Sequence, residues 1–331
     1  MKQVAFEKKY ASFWTYLEDN LLSDNPLSSL ASNEKFEEEF EAQKFPEYYR
    51  LLCHHLSLAR SRHYSPLLVE RLEKLVIHAH QLFYKRKSHL LSSVLIYFTS
   101  GFAKSVRNEW RWVLLSGVLF FGALFAMLIT LQSYPDMVYT VIPAEQLAQM
   151  ESMYDPSQEK IGRDRNAGTD FQMFGFYIFN NTGIGLKTFA SGLLLGVGTV
   201  MTLLFNGLTI GSVAGYLTYI GYGATFWPFV SGHSALELSA IVLSGAAGFK
   251  LGFSIISPGR KSRLLSLRDN AKQAVFMMYG VATMFIMAAF VEAYWSSMSD
   301  VPSLIKYSVG IANWVVLIAY FSLAGRRYAT R

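Results

Sequence analysis

A chain of 331 residues in which 52% are hydrophobic and only 16% charged is too apolar for a pair of ordinary soluble domains, where about 25% of residues are charged. Its formal net charge of +6 does not point to nucleic acid. The basic residues stand in clusters beside apolar stretches (Lys85, Arg86, Lys87; Lys104, Arg107, Arg111; Arg260, Lys261, Arg263; Arg326, Arg327), the positive-inside signature of cytoplasmic loops in a membrane protein.

Residues 1–87 read as a small cytoplasmic helical domain. Phe6, Tyr10, Phe13, Leu17 and Leu21 recur at helical spacing, Trp14 widens the stripe, and Asn25-Pro26 closes the helix. An acidic stretch, 34–41, follows. Pro46 opens a helix with Tyr49, Leu52, Leu56 and Ala59 on its apolar face, and Pro66 opens another with Leu68, Leu72, Leu75, Val76, Ala79, Leu82 and Phe83, so the two are expected to pair as an antiparallel hairpin. Cys53, His54, His55, His63, His78 and His80 show neither HxxxH nor CxxC spacing, so no metal or other cofactor is expected there. The lone cysteine excludes an internal disulfide. The chain opens with no cleavable signal peptide, so insertion is expected to use the first apolar span.

Residues 88–111 form an amphipathic segment closed by Lys104, Arg107 and Arg111, expected to lie in the headgroup plane as a linker. Residues 112–331 then hold about six stretches of membrane-crossing length, at 112–132, 188–205, 208–224, 234–256, 274–294 and 307–325. The loop 133–170 is richer in acids than bases and belongs outside, with both termini inside. The fold class is therefore all-α: a polytopic helical membrane protein with an N-terminal helical bundle. Phe171 to Phe179 is apolar for only half a crossing and stops at Asn180-Asn181-Thr182-Gly183, so this segment either lies flat or dips in as a broken helix.

His233 and Glu237, four residues apart in SGHSALELSAIVLSGAAG, share one helix face. A charge at the bilayer centre costs about 2.5–3.5 kcal/mol on insertion scales, so the pair needs a partner or a purpose. Asn180, Asn181, Asn206 and Glu292 are the other polar residues expected inside the membrane, and an asparagine from the broken helix is expected to meet the pair. Gly192 and Gly196, then Gly207, Gly211 and Gly215, repeat every fourth residue, the spacing that lets helices approach closely, within one chain or between the two copies of a homodimer.

Phe179-Asn180-Asn181, Gly192 and Gly196, Asn206-Gly207 with Gly211, His233-x-x-x-Glu237 and Glu292 together resemble the stage II sporulation protein M family, also called DUF95. Ser234 departs from the pattern, standing where the family often has Gly. The segments YYRLLCHHLSLARSRHYSP and LVERLEKLVIHAHQLFY resemble that family's cytoplasmic helical segment, extending the likeness over nearly the whole chain. The resemblance implies an integral protein of the bacterial or archaeal cytoplasmic (inner) membrane. The namesake works with a peptidoglycan hydrolase and its membrane partner in septal wall remodelling. The branch with a cytoplasmic extension is often encoded beside MoxR-type ATPases, von Willebrand A domain proteins and RDD membrane proteins, which implies envelope assembly and supplies no reaction.

Three function classes follow. The first is a non-enzymatic scaffold of a cell-envelope complex, with lipid as its surroundings. The alternative is a transporter or permease component whose polar residues line a path. An intramembrane hydrolase is least supported: no Walker A, GxSxG or HExxH occurs, and HxxxE supplies two ligands where a zinc site takes at least three.

Overall fold

The computed structural model describes residues 2–21, 45–83, 90–157, 167–298 and 300–326. The expected Asn25-Pro26 helix end, the acidic stretch 34–41 and the basic cluster 85–87 lie outside the described residues, as do Glu159, Lys160, Arg163, Asp164 and Arg165 of the loop. The chain divides into two compact units, Met1–His89 and Leu90–Arg331.

The first unit holds α1 (Gln3–Leu21), α2 (Phe45–Ser61) and α3 (Pro66–Phe83). Arg60 pairs with Glu73 at 2.6 Å and Tyr49 meets His80 at 3.0 Å, so α2 and α3 run antiparallel. The core is Phe6, Trp14, Leu17, Leu52, Ala59, Leu68, Leu72, Leu75 and Ala79. The guanidinium of Arg71 grips Glu18 through two 2.7 Å hydrogen bonds and holds that carboxyl below its usual range.

His55 is buried in this core among Phe6, Tyr10 and Trp14. Trp14 Nε1 donates to His55 Nδ1 at 3.1 Å, which places the imidazole proton on Nε2. Burial, and then neighbouring His54, push its pKa down to about 4. Between pH 6.5 and 4 the unfolded chain binds a proton that the folded one refuses, so stability is full above the unfolded pKa and falls as pH drops through that window. Thermal unfolding of the 1–89 fragment is expected to lose up to about 3 kcal/mol between pH 7.5 and pH 4 through this residue. A His55→Phe fragment with the same pH slope would remove the assignment.

The regular elements of the second unit are all helical among its described residues. It runs α4 (Leu90–Ile96), a π-helical turn (Tyr97–Gly101), α5 (Phe102–Asn108), α6 (Trp110–Thr130), a 3-10 turn (Pro135–Thr140), α7 (Ala144–Tyr154), α8 (Ala167–Ala190), α9 (Val197–Tyr219), α10 (Gly223–Ile256), α11 (Arg263–Val291), a π-helical turn (Glu292–Ser296) and α12 (Ser303–Leu323). Five stretches among the described residues are long and apolar enough to cross a membrane: α6, α9, α10, Arg263–Ser296 and α12. The protein is an all-α polytopic membrane protein.

Three expectations change. The stretches 188–205 and 208–224 are not separate spans, because Val197–Tyr219 is one helix. The helix before it is α8, unbroken through Asn180 and Asn181 and, at 24 residues, about 36 Å long. Asparagine in a helix costs well under about 1 kcal/mol relative to alanine, and a helix buried against protein on one side need not be apolar all round. The real break follows at 191–196, where Leu195 (φ 54°) and Gly196 (φ 80°) turn the chain into α9. The amphipathic linker, finally, is only partly exposed. Leu91, Leu95 and Ile96 face out, but Phe102, Ala103 and Val106 are buried, Tyr97 donates to the Phe276 carbonyl at 2.7 Å, and Arg107 holds the carbonyls of Phe321 and Ala324.

Glycine decides how these helices meet. A Cβ at Gly207 would lie 2.4 Å from Phe120 O, at Gly211 2.4 Å from Leu124 O, and at Gly215 3.0 Å from Leu128 Cα, so α9 lies parallel against α6 in four-residue register. This stripe is filled from within the same chain and is not open as a self-contact between two copies. A Cβ at Gly192 would lie 2.1 Å from Gly248 O, and one at Gly252 2.4 Å from Gly196 N, so α8 and its turn lie parallel on α10. α10 is accordingly the central helix: 78% of its most apolar stretch is buried, against 11% for α12. Hydroxyls add to the seams, with Ser116 Oγ donating to Val242 O at 2.7 Å and Thr199 Oγ1 to Thr188 O at 3.0 Å.

Candidate functional site

Near its start α10 carries Pro228, which removes one backbone donor, and then Gly232, whose missing side chain leaves room for the Trp295 ring and Ser296 of the π-helical turn. This close approach sets His233 beside that turn. His233 Nδ1 and Ser296 Oγ are 3.0 Å apart, and the imidazole edge is flanked by Phe229. One turn on, Glu237 Oε2 lies 3.8 Å from His233 Nε2. The π-helical widening brings Glu292 to the same place, so that one ligand atom each from His233, Glu237 and Glu292 lie within 4.8 Å of one another. Single-turn π-helices mark functional sites more often than ordinary helix does.

The surroundings are part buried and polar. Lys306, itself buried, donates to the Ser296 carbonyl at 2.8 Å, Ser231 Oγ reaches the Lys306 carbonyl at 3.1 Å, and Asn313 donates to Gly232 O at 2.8 Å, tying α12 to α10 and the turn. Tyr154, the last residue of α7, stacks edge-on to Phe226 and Phe229 and is buried. Burial, then Glu292, Tyr177 and Glu237, raise its phenol well above the ordinary range, so it stays protonated and is close enough for those carboxylates to act on it. The described part of the loop 133–170 is thus a packed helical cover, held by Tyr216 donating to Glu151 at 2.7 Å and by Val138, Ile142 and Leu147, which share a core with Met127 and Leu131.

Of the residues singled out in the sequence, three converge: His233, Glu237 and Glu292. The asparagines do not join them by hydrogen bonds. Asn180 is exposed and donates to Asn181 Oδ1 at 3.0 Å; Asn181 is 3% exposed, with its Nδ2 unpartnered among the described residues; Asn206 Nδ2 bonds back to Thr202 O at 2.7 Å. The counting argument against a metal, which allowed two ligands, no longer holds once Glu292 is the third. Missed altogether were Tyr154, Ser296, Lys306 and the buried Lys250, which pairs with Glu109 and donates to Gln273 Oε1 at 2.6 Å at the other end of α10. Lys250 carried a legible signal, being an ionisable residue in the apolar run GFKLGF. The tyrosine and serine carried none.

Residues 4–85 match a domain of unknown function, DUF8413, and so constitute a module with its own profile, separate from the membrane part. No curated protein and no solved structure matches the chain significantly. The glycine seams and the His233, Glu237 and Glu292 cluster fall within residues 111–297, which match the profile of Stage II sporulation protein M; the match covers more than half of the sequence, and the chain belongs to that family.

Proposed function

We propose that the protein is a non-enzymatic scaffold of a bacterial cell-envelope assembly, set in the cytoplasmic membrane with both termini and the Met1–His89 unit inside. The supporting observation is the set of backbone-to-backbone glycine seams around α10. Carbonyl oxygens occupy the space that side chains would need, and helices interlocked in this way resist the rocking that alternating access requires. A rigid bundle joined to a separately folded helical unit suits docking on both faces of the membrane. MoxR-type ATPases, von Willebrand A domain proteins and RDD membrane proteins are the partners to test for the inner face.

The transporter reading rests on the buried His233, Glu237 and Glu292 cluster, since intramembrane carboxylates serve proton and ion paths. Reconstitution separates the two. Proteoliposomes of the purified chain are expected to pass protons and divalent cations no faster than protein-free vesicles. A flux abolished by Glu237→Gln would replace the scaffold with a transporter.

A further inference from the structure

We propose that His233, Glu237 and Glu292 form a binding site for one divalent transition-metal ion of the zinc or manganese kind. The donor set is one imidazole nitrogen and two carboxylates. Carboxylate oxygens suit manganese, imidazole suits zinc, and a site with three protein ligands leaves a position open for water.

Geometry and charge both favour an ion. The 3.8 Å between His233 Nε2 and Glu237 Oε2 is close to the separation of about 3.3 Å expected for two tetrahedral ligands on bonds of about 2.0 Å. All three ligand atoms already lie within 4.8 Å, so small side-chain rotations complete the approach. His233 Nδ1 and Ser296 Oγ are 3.0 Å apart; in the tautomer that carries its proton on Nδ1, the serine oxygen accepts it and the lone pair of Nε2 faces the carboxylates, the arrangement in which a metal-bound histidine is held by its other nitrogen. Two carboxylates so close together in a buried site do not both ionise without a cation, and a divalent ion cancels the charge of −2 that they carry when both are ionised.

The position also has a wall. Phe229 packs on His233, Tyr154 packs on Phe229 and Phe226, and Tyr154 comes from α7, outside the candidate spans. The ion would clamp α10 to the turn after α11, directly beneath this aromatic cover.

The test uses the purified full-length chain in detergent, stripped with EDTA, reloaded separately with Zn²⁺ or Mn²⁺, and passed through gel filtration before metal analysis and thermal unfolding. About one ion per chain is expected to remain, with a midpoint raised by at least about 4 °C over the stripped protein. Ser296→Ala, which frees the imidazole without removing a ligand, is expected to weaken binding about 10- to 100-fold, and Glu292→Gln by more. In the wild-type chain, no retained metal and an unchanged midpoint with either ion would overturn the proposal, leaving a shared proton between the carboxylates. Metal retained equally by His233→Gln and Glu292→Gln would overturn it too, because the ion would then lie elsewhere. Should either ligand variant fail to fold, the wild-type midpoint and the Ser296→Ala affinity decide.

Discussion

Gly192→Ala is expected to empty the membrane of folded protein. The added methyl would sit 2.1 Å from the carbonyl oxygen of Gly248 and 2.7 Å from its Cα. Overpacking usually costs about 1–3 kcal/mol when side chains can shift, and more when they cannot. Here the obstacle is backbone in the stretch 240–252 of α10, which is buried throughout, so at least about 3 kcal/mol is expected. Gly211→Leu is expected to act alike through Leu124 O. The matched control is Gly175→Ala in α8, where nothing lies within 4 Å and the gain in helix propensity is up to about 1 kcal/mol. Membrane abundance and thermal unfolding in detergent measure all three. If Gly192→Ala equals the control, α8 does not lie on α10 in this register.

The second large effect is expected two residues further along α10, at Lys250. Lys250→Met leaves Glu109, whose side chain is 16% exposed, without its cation, while Gln273 loses its donor. Breaking a buried ion pair from one side costs about 3–5 kcal/mol, whereas replacing both partners is often nearly neutral. Lys250→Met alone is therefore expected to unfold at markedly lower temperature, and Lys250→Met with Glu109→Gln to recover most of the loss. A double variant as unstable as the single one would mean that Lys250 contributes through its packing and not its charge.

Much of this was legible in the residues themselves. Apolar periodicity located Phe6, Trp14, Leu52 and Leu72 in the core of the first unit, because a surface helix must bury its stripe somewhere. The four-residue glycine interval announced close helix packing, and the i, i+4 placement of His233 and Glu237 put them on one face, since helix geometry alone decides both.

What a linear pattern cannot carry is which element meets which. The partner of the Gly207, Gly211 and Gly215 stripe is α6 of the same chain, a choice made by the fold and equally compatible in sequence with a second copy. Asn180 and Asn181 looked like a break because local propensity was weighed without the packing that overrides it; the turn came instead at Leu195 and Gly196. Glu292 lies 55 residues beyond Glu237, and only the Gly232 contact with Trp295 and the π-helical turn brings it to His233. The sequence by itself determined that this is a helical membrane protein with a polar pair at His233 and Glu237. The tertiary structure decided that the pair is a triad, because a cluster drawn from two helices exists only where their backbones are allowed to touch.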